Sequence, residues 1–156
     1  MIPRFAYSLN GTPPLSVAYI AASLLAAGHD VQVIDSVGEA LGTWRPTFRK
    51  GLFVNGLSIP EIVERADPRS LWIGISALFT HDWPVIRKLI LALAKHFPDI
   101  PIICGGEHAT AAAEQSLRDT PELTACALGE GEATAAELSR ALREQRSLSD
   151  VPGLVW

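Results

Sequence analysis

Few side chains in this sequence are equipped for chemistry, and those that are sit at turns. Ser76 and Thr80 bracket "SALFT", directly after the apolar run "LWIGI". Glu107 and His108 follow Gly105-Gly106, directly after "IPIIC". The hydroxyls can donate to or accept from a polar ligand, and an imidazole can bind a metal or move a proton. His108 has no second ligand at metal-binding spacing, so a place at a helix start beside Thr110 is expected for it. Cys104 and Cys126 lie in separate apolar stretches and form no C-x-x-C. That argues against zinc and iron–sulfur sites within the chain and predicts two buried thiols in a reducing, cytoplasmic setting. Glu130 and Glu132 stand at a helix start, where the dipole favours acids. His29, His81 and His96 fall at turns or helix ends. No catalytic residue and no metal ligand is expected.

The phosphate-binding patterns are absent too. There is no G-x-x-x-x-G-K-[ST] and no G-x-G-x-x-G after the first strand. The loop "NGTPP" cannot wrap a pyrophosphate with successive amides, because Pro13 and Pro14 have none to offer. Net charge is −4, which argues against a nucleic-acid surface. The longest apolar run, "SVAYIAASLLAA", is too short to cross a bilayer, and the N-terminus lacks the parts of a signal peptide.

The elements that must position these residues follow from the pattern. Weak strand character at 5–9 leads to a helix at 15–27 that is apolar nearly all round, which predicts deep burial, and Gly28 suits its C-terminal cap. "VQVID" at 31–35 reads as a strand. "SIPE" at 58–61 is a capping box opening a helix to about residue 66. "LWIGISA" is a strand, and a helix from Trp83 to Phe97 carries apolar residues at 86, 89, 90, 93 and 97 on one face. Strands "IPIIC" and "LTACAL" alternate with helices near 111–118 and 133–146. The tail "SLSDVPGLVW" has no evident partner.

Short, continuous apolar strands alternating with helices predict an α/β domain, a doubly wound parallel sheet of five strands in the order 2-1-3-4-5, over residues 1–150. Ligands of such sheets bind outside the carboxyl ends of the strands. The loops that matter are then "NGTPP" with Asn10, Gly11 and Thr12, "SALFTHD" with Ser76, Leu78, Phe79 and Thr80, "GGEHAT" with Gly105 to His108, and "GEGE" with Gly129 and Gly131. These loops offer small residues, two hydroxyls and an apolar wall, which suits a large, partly apolar ligand with a buried polar tail.

Ser76-Ala77-Leu78, followed after a gap of 26 residues by Gly105-Gly106, resembles the S-x-L … GG pair of cobalamin-binding domains. In that family the serine and the glycines line the slot for the dimethylbenzimidazole tail. The D-x-H-x-x-G motif that supplies a lower axial histidine is absent, since the loop here reads "SLNGTPPL". Together with "GGEHATA", "LGEGE" and the closing "LSDVPGLVW", the set resembles the N-terminal domain of cobalamin-dependent radical SAM enzymes, the Mg-protoporphyrin ester cyclase-like proteins and methylases.

The resemblance implies cobalamin held with its base off the metal and without a histidine ligand. It also implies a radical SAM domain, with its S-adenosylmethionine and [4Fe-4S] cluster, beginning shortly after residues 151–156. That domain's C-x-x-x-C-x-x-C is not in this chain, so the chain is expected to be a truncated or stand-alone module that is not catalytic by itself. "GTWRPTFRKGLFVNG" at 42–56 mixes aromatic and basic residues and is expected to dock on the missing domain or cover the corrin. Two alternatives stand: a degenerate module serving as a protein–protein platform, and the binding of a different nucleotide-like ligand in the same crevice.

Overall fold

The computed structural model describes residues 13–156, apart from 49 and 52. Its centre is a four-stranded sheet in which β3 (Ile73–Ser76), β4 (Ile102–Gly105) and β5 (Ala125–Ala127) run parallel. β6 (Leu154–Val155) closes the edge antiparallel to β5. A separate hairpin pairs β1 (Trp44–Pro46) with β2 (Phe53–Asn55). The helices are α1 (Leu15–Ala26), α2 (Ile59–Arg65), α3 (Trp83–His96), α4 (Glu107–Ala111), α5 (Ala113–Asp119) and α6 (Glu132–Arg143).

Alternation along the strands sends side chains to two cores. On one face Ile73, Ile75, Ile102, Cys104 and Cys126 pack with Ile90, Leu93 and Phe97 of the α3 segment. That is the apolar face expected of residues 83–97. On the other face Ile103 and Ala125 meet Leu138 and Ala141 of α6, with Trp72 against them. α2 begins as expected: the Ser58 hydroxyl accepts from the Glu61 amide and the Glu61 carboxylate accepts from the Ser58 amide. Such a cap contributes about 1 kcal/mol. Gly28 ends α1 at φ +80°.

Five expectations need correction. The sheet is mixed, and five parallel strands in the order 2-1-3-4-5 are not found among the described residues. Residues 31–35 form no strand. In that order they would pair only with the strand expected at 5–9, which lies outside the described residues, and here Gln32 instead bonds the chain at Arg65 and Asp67. The closing tail is not without a partner: Val155 and Leu154 pair with Cys126 and Ala127, and Val151 is buried. A two-residue strand is too short to show a period. The helix near 111–118 starts earlier, at Glu107, and breaks at Ala112 (φ −134°, ψ 31°).

α1 is not deeply buried. Only Leu24 is, while Leu15, Tyr19 and Leu25 are exposed. It packs by one side against α6, where the Ser23 hydroxyl donates to the Glu132 carbonyl at 3.2 Å. Within residues 42–56, β1 and β2 form a hairpin with an anchor. Arg45 bonds the Gly56 carbonyl and the Glu61 carboxylate, which ties the hairpin to the start of α2. Lys88 of α3 sits 4.0 Å over the Phe48 ring.

Candidate cofactor site at the carboxyl ends of the strands

Ser76 and Gly105 end neighbouring strands and are partners in register. Both point to the α6 face, as does Ala127 at the end of β5. A Cβ built on Gly105 would meet only the Ala127 methyl, at 3.9 Å. Serine, glycine and alanine therefore line the top of this face, and none fills it. Across from them, α6 opens with Gly131, where an added Cβ would come 2.7 Å from Ile20 of α1. The Ile20 side chain can come this close to the start of α6 because Gly131 carries no side chain.

Gly106 has a different duty. Its φ is +104°, and a Cβ there would stand 2.7 Å from the Ala77 carbonyl oxygen and 3.0 Å from its carbon. The backbone after β3 passes directly over it. The Ala77 amide donates to the Gly105 carbonyl at 2.7 Å, and the His108 amide donates to the Ala77 carbonyl at 3.1 Å. The two loops are zipped together by their main chains, and only glycine allows the contact.

His108 is turned inward, at 4% exposure. Its Nδ1 lies 3.1 Å from the Thr80 hydroxyl and its Nε2 3.3 Å from the Ser116 hydroxyl. One nitrogen of the neutral ring donates and the other accepts. Trp83 packs on it with ring centres 4.7 Å apart. Burial holds its pKa below the usual histidine range. With both nitrogens engaged, His108 is a buried brace of the site's walls.

Leu78 and Phe79 are not core beneath α3. Both are exposed, at 43% and 56%, and Phe79 stacks on His81 with ring centres 5.4 Å apart. They form an apolar lip beside the end of β3. Glu107 begins α4 with its side chain exposed. Gly129, at φ +65°, donates its amide to the Thr110 hydroxyl at 3.0 Å, which joins the loop after β5 to the start of α4. The structure thus brings Ser76, Leu78, Phe79, Thr80, Gly105 to His108, Gly129 and Gly131 to one end of the sheet. Asn10, Gly11 and Thr12 lie outside the described residues. Among the described residues, no group of His, Cys, Asp and Glu is placed to hold a metal ion.

The model of the B12 binding domain matches residues 4–139 of this chain. The chain belongs to the B12-binding domain family. An uncharacterized methyltransferase of Pyrococcus horikoshii is 31% identical to this B12-binding domain over 144 residues, 92% of the chain and 28% of that protein. The anaerobic magnesium-protoporphyrin IX monomethyl ester cyclase of Synechocystis is 33% identical over 147 residues, 92% of the chain and 26% of the cyclase. The domain spans about a quarter of the length of these curated relatives. Among solved structures, the radical S-adenosylmethionine methyltransferase TsrM of Kitasatospora setae shares its fold with a TM-score of 0.66. That match is 17% identical and covers 90% of this domain and 25% of TsrM. The resemblance to the B12-binding part of radical SAM methyltransferases and the cyclase group is thereby established.

Sequence reasoning missed Trp72, Ser116 and Ser139 as parts of the site's frame. Their signal was weak, since a hydroxyl inside an apolar helix or a tryptophan at a strand start is ordinary in a core. No helix among the described residues is long and apolar enough to cross a membrane.

Proposed function

We propose that this B12-binding domain holds cobalamin with its nucleotide tail in the slot between the strand ends and α6, base off and without a histidine on the lower face of the metal. The observation that carries the reading is the in-register pair Ser76 and Gly105, with Ala127 beside it, at the carboxyl ends of the sheet. Any side chain at 105 would project into the slot, which glycine leaves open, so the residues present fit the tail. Ser76 offers a hydroxyl to it, Gly105 offers an open backbone, and Leu78 and Phe79 offer an apolar lip to the corrin. The commitment of His108 to Thr80 and Ser116 fits a histidine-off mode.

Cobalamin supplies a transferable methyl group or one-electron chemistry at cobalt. A radical SAM domain, in the same polypeptide beyond residues 151–156 or in a partner chain, would carry the S-adenosylmethionine and [4Fe-4S] chemistry. The anchored hairpin with Trp44, Phe48 and Phe53 exposed gives that partner an apolar surface. The test is a spectral titration with hydroxocobalamin and, after reduction, cob(II)alamin. Saturable binding with a base-off spectrum, lost in Gly105→Trp, is the expected result. A chain that binds neither form favours the protein–protein platform.

A further inference from the structure

On the α6 face of the sheet, residue size changes sharply along β3. Ser76 and Gly74 are small and exposed, while Trp72, two residues before Gly74, carries the largest side chain available. The indole does not point away. A Cβ on Gly74 would come 2.8 Å from Cζ3 and 3.5 Å from Cη2 of Trp72. The benzo edge of the ring is therefore folded up the strand, over Gly74 and toward Ser76. Glycine is needed at 74 for this to happen.

The ring is fixed from behind. Its Nε1 donates to the Ser139 hydroxyl at 2.9 Å, and that hydroxyl donates to the Ala135 carbonyl at 2.9 Å. Ser139 is 2% exposed, so the chain of bonds is buried in α6. The side chain also packs against the buried cluster that includes Ile103, Leu138 and Ala141. A partly buried indole held at its nitrogen has one orientation, and here that orientation aims its apolar edge at the slot.

We propose that Trp72 is the floor of the tail slot: it sets the slot's depth beneath Ser76 and Gly105 and meets the planar heteroaromatic base that ends the tail. The inference rests on the cobalamin reading above. The two residues from Ser76 down to Gly74 give a depth of roughly 6.6 Å at the rise of a parallel strand. A flat bicyclic base fits that depth, with its far edge on the indole. Trp72 is thus a positioning residue for the base and has no part in the chemistry at cobalt.

The experiment compares two corrinoids: hydroxocobalamin, which carries the tail, and dicyanocobinamide, which lacks it. Wild type, Trp72→Ala, Trp72→Phe and Ser139→Ala are titrated with each, and their urea midpoints are recorded. Loss of an aromatic contact predicts about a tenfold weaker hydroxocobalamin affinity in Trp72→Ala. Dicyanocobinamide affinity stays at the wild-type level. Ser139→Ala, which frees the indole without removing it, gives a smaller loss of the same selectivity, and Trp72→Phe serves in place of Trp72→Ala if the latter does not fold. Folded variants that weaken both corrinoids equally, or neither, overturn the floor. A wild-type chain that binds neither corrinoid overturns the cobalamin reading instead. If wild type binds hydroxocobalamin alone, its weakening in a folded Trp72 variant supports the floor, and unchanged affinity overturns it.

Discussion

The Thr80 hydroxyl lies 3.1 Å from Nδ1 of His108, and the two residues stand on segments that follow different strands. Beneath that bond the backbones are already joined, Ala77 to Gly105 and His108 to Ala77. The loop after β3 therefore has little freedom relative to the loop after β4. Ser76 precedes this junction and Leu78 and Phe79 follow it, so the candidate site is preorganised by contacts that do not face the ligand.

The two glycines of "GG" should separate by experiment. Gly106→Ala forces a Cβ into the Ala77 carbonyl at a positive φ, and it should cost about 2 kcal/mol of stability. Gly105→Ala meets only the Ala127 methyl, so its urea midpoint should correspond to a change within about 0.5 kcal/mol. The same change intrudes on the slot, and hydroxocobalamin affinity should fall. Equal destabilisation by both variants would contradict the distinct roles assigned to them.

His108 predicts a pH dependence of stability. Its folded pKa is lowered by burial from an ordinary value of 6.5. The unfolded chain then binds the proton more readily than the folded one, so stability rises with pH across that region. This contribution is present above about pH 6.5 and is lost as pH falls below it toward the depressed folded value. The urea midpoint of wild type should drop between pH 7.5 and pH 5.5, and His108→Phe should show a shallower drop. An unchanged slope in the variant would assign the acid sensitivity to other groups.

Thr110 and Gly129 offer a milder test. The Gly129 amide has the Thr110 hydroxyl as its acceptor, and the contact is exposed. Thr110→Val should cost about 1 kcal/mol or less in urea denaturation. It should increase hydrogen exchange at the Gly129 amide, and an unaltered exchange rate would show that the bond does not tie the loops in solution.

Much of this arrangement was legible because it is written in local patterns. The 3.6-residue spacing of Ile86, Leu89, Ile90, Leu93 and Phe97 led to α3, and the S-x-x-E of residues 58–61 led to its capping box. The strands at Ile73, Ile102 and Ala125 were continuous apolar runs, and their order placed Ser76 beside Gly105. What was not legible depended on distant partners. Leu154–Val155 is a strand only because β5 has a free edge. The apolar faces of Leu15, Tyr19 and Leu25 pointed to burial, yet which helix faces are covered is decided by tertiary packing. The inward turn of His108 could not be read either, since Thr80 and Ser116 become its partners only after three elements meet.

The two cysteines supply a last prediction. Cys104 and Cys126 are register partners on β4 and β5, both fully buried in the core against α3. Burial, joined by the nearby Cys126 sulfur, pushes the Cys104 thiol up to about 12, and burial pushes Cys126 up to about 11. Thiolate is the reactive form, so both should resist iodoacetamide in the folded chain and react together once urea unfolds it. The linkage has a definite sign. A thiol held neutral by the fold contributes stability that is intact below the unfolded pKa near 9 and is lost as pH rises from there toward 11–12. Urea midpoints should therefore be steady from pH 7.5 to 8.5 and fall at pH 10. Cys104→Ala should lessen that alkaline fall while lowering stability at neutral pH through the cavity it leaves. Rapid alkylation of either thiol under native conditions would mean that the sheet opens between β4 and β5 far more readily than its buried core implies.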